Sequence, residues 1–144
     1  MEGLIEEKLS KLREYLRYLK ELRDVPLETF LTDFRSRGAA ERYLQLAIES
    51  IIDIGSEIIS SLQLPKPERY KDIPKTLDEA GIIPKRLSHE LTMMIGLRNI
   101  LVHDYAILDR ELEHEFLRER LSDFEAYMAH VAKWLKAKPF SIKE

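Results

Sequence analysis

Residues 34–62 read FRSRGAAERYLQLAIESIIDIGSEIISSL. Near its middle this run is apolar almost all the way round, and both its ends are polar. That is the composition of a helix buried at the centre of an assembly of helices, not of one lying on a surface. Asp33 stands immediately before it, where a side-chain oxygen can cap the first turn. No strand-period alternation of useful length, no internal repeat and no low-complexity tract occurs in the 144 residues.

Upstream of this run, Ile5, Leu9, Leu12, Leu16 and Leu19 recur at spacings of four, three, four and three, a narrow amphipathic seam. One long helix is expected there, ending before Pro26. Pro26 itself suits the first turn of a short second helix through Phe30 and Leu31. Downstream, residues 64–85, LPKPERYKDIPKTLDEAGIIPK, carry four prolines and read as a connector. Within it a short helix near Lys75 to Ala80 is stopped by Gly81. A further helix begins at about Pro84 and runs through LTMMIGLRNILV, HDYAIL is expected to turn, and Asp109 to cap a last long helix through FLRERLSDFEAYMAHVAKWLKA. The expected fold is all-α: an antiparallel bundle of four to five helices, one domain over residues 1–138, with 139–144 as a frayed tail.

Apolar residues make up 44% of the chain and charged residues 34%, a globular balance, and the length suits one hydrophobic core. With no cysteine, disulfides, zinc–thiolate sites and thiol nucleophiles are excluded, and a reducing compartment is the natural setting. MEGLIEEKLSKLREYL lacks the apolar stretch of a leader, and no apolar run approaches the length of a membrane span, so the cytoplasm is expected. A net charge of −3 argues against a broad basic groove for long duplexes, while leaving room for a small basic pocket.

The four histidines, His89, His103, His114 and His130, form no His-x-x-x-His or His-Glu-x-x-His pair. Glu111 and His114 have the Glu-x-x-His spacing of carboxylate di-iron bundles, but the second such pair that this chemistry needs is absent. No metal and no cofactor are expected, and His89, His114 and His130 read as partly exposed helix residues. There is no Gly-rich phosphate loop and no Gly-x-Ser-x-Gly elbow. Glu49 and Asp53, one helical turn apart in the central run, continue a polar stripe with Gln45 and Arg42. Either these carboxylates lie on a solvated face, or they bind and orient basic residues of the helix that carries Arg98.

GLRNILVHDY, residues 96–105, concentrates the remaining chemistry. Arg98 follows Ile95 and Met94 by three and four residues, so its stem extends an apolar stripe and its guanidinium must find an anion or a carboxylate. His103 comes five residues later, about 140° further round an unbroken helix. The two groups can converge only if the helix ends between them or if a second copy of the chain supplies one of them. A C-capping histidine beside a structural ion pair is the plainer alternative. The chain's one asparagine, Asn99, adjoins Arg98.

Arg98-Asn99, three residues, His103, one residue and Tyr105 resembles the motif of the HEPN superfamily in the extended form of HepT toxins. AAERYLQLAIESIIDIGSEI, LDEAGIIPKRL and GLRNILVHDY are similar to blocks of HepT-like proteins in order and approximate spacing, over roughly residues 30 to 135. The resemblance implies a helical bundle that dimerises to bring two motif copies into one cleft, and metal-independent endoribonuclease action on tRNA or mRNA. It also implies a partner, an MNT minimal nucleotidyltransferase antitoxin that neutralises the toxin by transferring AMP to the motif tyrosine, here Tyr105. On these expectations His103 is the acid/base and Arg98 stabilises the phosphorane formed by 2′-OH attack. Asn99 holds the phosphate or the histidine tautomer, and Tyr105 contacts substrate. Two rivals stay open: a non-catalytic module that binds a nucleotide or a nucleotidyltransferase, and a purely structural dimeric bundle.

Overall fold

The computed structural model describes residues 2–103 and 109–137, with the side chains of 2, 102 and 103 left out of that description. Expectations for Tyr105, for the turn over 104–108 and for the tail after 137 lie outside the described residues. Four long helices, α1 (Glu2–Arg23), α3 (Phe34–Ser61), α5 (Lys85–His103) and α6 (Arg110–Ala137), make the bundle. Two short ones, α2 (Leu27–Thr32) and α4 (Ile73–Glu79), fill its ends, and a single 3₁₀ turn, Tyr70–Asp72, leads into α4.

The apolar seam of α1 is the face it buries: Ile5, Leu9, Leu12, Leu16 and Leu19 are all in the core. Lys20 and Arg23 occupy its last turn, where cations complement the helix dipole. Phe30 of α2 is fully buried. Asp33 then starts α3 by accepting the Arg35 N–H at 3.1 Å and the Ser36 hydroxyl at 2.9 Å. Those two bonds, Ser36 first, hold its carboxyl below the ordinary value.

Helix α3 is the hub and packs against all five other helices. Its Ala40, Leu44, Ala47, Ile48, Ile51, Ile54 and Ile58 have no exposed surface. At Gly55 a Cβ would sit 2.5 Å from Ile73 Cγ2, so the absent side chain is what lets α4 dock this closely. The same clearing admits Tyr127 of α6, whose hydroxyl donates to the Ile51 carbonyl at 3.0 Å. That bond satisfies the one polar atom of a fully buried side chain.

Neighbouring long helices run antiparallel. Lys20, late in α1, pairs with Glu125 in the middle of α6, while the chain just beyond α1 meets the start of α6 through His114. Between α5 and α6, Glu90 near the start of one meets Arg120 of the other at 2.9 Å. The described residues thus form six helices, the long helices of the expected bundle together with the two short ones expected at Phe30–Leu31 and in the proline-rich connector, which are held by burying Phe30, Ile73 and Leu77.

Two expectations need correction. His114 is not partly exposed: it is 5% exposed, packs on Phe30 with ring centroids 5.1 Å apart, and meets the Val25 carbonyl at 2.8 Å through Nε2. A carbonyl can only accept, so Nε2 carries the proton and His114 ties α6 to the α1–α2 junction. The helix carrying the motif also runs one residue into the stretch read as a turn, reaching His103.

Candidate active site

Arg98 lies on α5 where that helix crosses α3. Its side chain is 21% exposed, and Nη2 donates to Glu49 Oε2 at 3.4 Å. The same Glu49 oxygen accepts the Gln45 amide from one turn earlier on α3, at 3.1 Å. Nη1 points to Asn99 Oδ1 at 3.4 Å, and the buried Nε has no partner among the described residues. On the other side stands Tyr70 of the 3₁₀ turn, with the guanidinium carbon 5.8 Å from its ring centroid.

Of the polar stripe on α3, two members reach the site and two do not. Gln45 and Glu49 face Arg98, whereas Arg42 and Asp53 are exposed and make no bond to α5 among the described residues. Of the two carboxylates, Glu49 meets a basic residue of α5 and Asp53 lies on an exposed face. Both side-chain contacts of the guanidinium, to Glu49 and to Asn99, are long at 3.4 Å.

His103 ends the described part of α5, which is continuous from Lys85 through Arg98 to that residue. An unbroken helix places position 103 about 140° round from position 98. Of the two ways for these positions to share one substrate within or between chains, a helix ending between them does not occur.

A second cluster escaped the sequence reading. Glu41 of α3 and Glu113 of α6 are 7% and 2% exposed, and three of their four carboxyl oxygens lack a partner among the described residues. Burial, reinforced by the neighbouring Glu41 charge, pushes the Glu113 carboxyl up to about 8, against the pull of Arg110 and Arg37. The signal was periodicity: Glu113 precedes Leu117 by four and Glu41 precedes Leu44 by three, so both acids occupy core-phase positions. Tyr70 was also missed, hidden in a proline-rich connector where helical period gives no information.

A helical bundle in which one helix bears Arg-polar-x₃-His is the arrangement of the HEPN class. Within it the chain belongs to the ribonuclease HepT-like family, whose model matches residues 5–131. It is 28% identical over 132 residues to the tRNA nuclease HepT of Aphanizomenon flos-aquae, covering 92% of this chain and 90% of that one. To the mRNA nuclease HepT of Shewanella oneidensis it is 34% identical over 99 residues, 69% of this chain and 74% of the relative. Among solved structures, a tri-AMPylated HEPN toxin of Shewanella oneidensis in complex with MNT antitoxin superposes with a TM-score of 0.86 at 28% identity, covering 92% and 99% of the two chains.

Proposed function

We propose that this chain is the ribonuclease toxin of a HEPN/MNT toxin–antitoxin pair, a metal-independent endoribonuclease that cleaves by attack of a ribose 2′-OH on the adjacent phosphate. The observation that carries this reading is the placement of Arg98: a guanidinium only 21% exposed between α3 and α5, held by Glu49 and with its Nε lacking a partner among the described residues, five residues before His103 on the same helix. The relatives' nuclease names supply the substrate class. A forked guanidinium in that setting stabilises the charge that accumulates on the phosphorane. His103 takes the 2′-OH proton or protonates the leaving 5′ oxygen, the role for which histidine is the commonest side chain. Asn99 steadies the phosphate, and the products carry a 2′,3′-cyclic phosphate and a 5′-hydroxyl.

The unbroken α5 supports a composite site in a homodimer, with Arg98 from one copy and His103 from the other around one phosphodiester. The AMP-bearing toxin structure supports neutralisation by an MNT nucleotidyltransferase that adds AMP to Tyr105, placing a phosphate and a nucleoside where substrate must bind. His103→Ala should lower cleavage by about 10²- to 10⁴-fold and relieve growth arrest on expression while leaving the fold intact. Cleavage unchanged by EDTA and termini resistant to 3′ ligation are the accompanying results. Loss of activity on chelation would overturn the metal-free chemistry, and an inactive but unmodified Tyr105 after coexpression would overturn the AMP transfer.

A further inference from the structure

The geometry points to Tyr70 as a stacking platform for a nucleobase of the RNA substrate, beside the phosphate that Arg98 binds. This rests on the ribonuclease reading of the site. A tyrosine that served only the fold would be buried with its hydroxyl bonded, as Tyr127 is. Tyr70 is instead 56% exposed, within 5.8 Å of the Arg98 guanidinium, so one part of the ring covers the cation and the remainder is open to solvent. Single-stranded RNA is recognised by splayed bases that stack on aromatic rings next to a cation that holds the backbone. Tyr70 and Arg98 supply that pair.

The surroundings fit the same ligand. In a chain of net charge −3, residues 66–75 carry Lys66, Arg69, Lys71 and Lys75 against Glu68 and Asp72. Arg69 is engaged by Asp72 at 3.3 Å, whereas the exposed Lys66, Lys71 and Lys75 make no ion pair among the described residues and are free to meet flanking phosphates. The backbone that carries the ring is anchored in the core. Tyr70 opens the 3₁₀ turn that continues directly into α4, and Ile73, Pro74 and Leu77 anchor that unit, with Ile73 seated over Gly55 of the hub helix. An aromatic side chain on an anchored backbone has only two χ angles to order when a base stacks on it.

The test measures binding and cleavage separately. In a full-length His103→Ala background, which leaves RNA intact, a fluorescein-labelled single-stranded RNA of mixed sequence is titrated against Tyr70→Ala, Tyr70→Phe and Tyr70→Trp. Stacking predicts that Ala weakens binding by about 5- to 150-fold while Phe and Trp retain it. With His103 restored, Ala should raise KM and leave kcat nearly unchanged. Equal affinity for Ala and the parent, or a Phe variant as weak as Ala, overturns the platform. So does a fall in kcat at constant KM, which would mean that the ring only orients Arg98. Tyr70-dependent binding without cleavage would retain the platform and remove the nuclease, and cleavage indifferent to Tyr70 would do the reverse.

Discussion

Two residues show how burial decides chemistry in this protein. In the proposed reaction Arg98 is used for the planar fork of its guanidinium, which Glu49 holds at 3.4 Å. Arg98→Lys keeps the charge but not the fork, and should cost about 10²-fold in kcat, comparable to losing one donor from an oxyanion site. Single-turnover cleavage reads this directly, and a Lys variant as fast as the parent would mean that a point charge suffices. Glu113 is the opposite case, an acid whose burial first, and the Glu41 charge second, favour the protonated form in the folded state. Below about pH 4.5 both states hold the proton and the group is neutral for stability. As pH rises toward 8 the unfolded chain ionises while the folded one does not, so stability falls across that window. Glu113→Gln should therefore leave stability near that of the parent at pH 5 and raise it by roughly 1–3 kcal/mol at pH 8 in urea unfolding. An equal effect at both pH values would show an ionised Glu113 paired with Arg37 or Arg110.

At the level of the elements, the helix ends are written in two ways of unequal quality. Helix α4 closes with Gly81 at φ +81°, its N–H on the Asp78 carbonyl and the Ile82 N–H on Leu77, the paired bonds of a Schellman end. Helix α3 closes with the same bonds, Gln63 to Ser60 and Leu64 to Ile59, but here Gln63 must take φ 58° with a side chain. Gln63→Gly relieves that conformation and should stabilise the protein by about 0.5–1 kcal/mol, seen as a higher denaturation midpoint at constant m-value. Gly55→Ala should act the other way, by about 1–3 kcal/mol, because a Cβ 2.5 Å from Ile73 forces α4 off the hub. Since α4 carries the Tyr70 turn, that variant should also weaken RNA binding more than its loss of stability explains.

For the whole molecule, the proposed composite site makes a prediction that no single chain can satisfy. Arg98→Ala and His103→Ala proteins, each inactive, should regain activity when mixed under conditions that exchange subunits, because the mixed dimer holds one intact Arg98 and one intact His103 in the same cleft. Activity in such mixtures should rise toward a quarter of the parent level, on the order set by half of the dimers being mixed and half of their sites complete. Mixtures that stay inactive would confine both groups to one protomer.

What the sequence by itself determined is the part governed by period and local chemistry. Leu9, Leu12 and Leu16 mark the buried face of α1, Asp33 and Asp109 cap α3 and α6, Gly81 ends α4, and the central run is the hub. Such features depend on neighbours three or four residues away, and the chain records those directly. The spacing of Arg98 and His103 left a C-capping histidine as the plainer reading, and it was the resemblance to the HEPN motif that singled the segment out. Only the tertiary structure decided that Glu49 meets Arg98 while Asp53, one turn on, faces solvent, and that Tyr70 comes beside the same guanidinium. It alone turned Glu41 and Glu113 into a buried acid pair and His114 into a strut on Val25. Spacing marks Glu41 and Glu113 as core-phase positions, but which side chain each of these groups meets depends on how distant segments pack around the core, a relation that neighbours three or four residues away do not record.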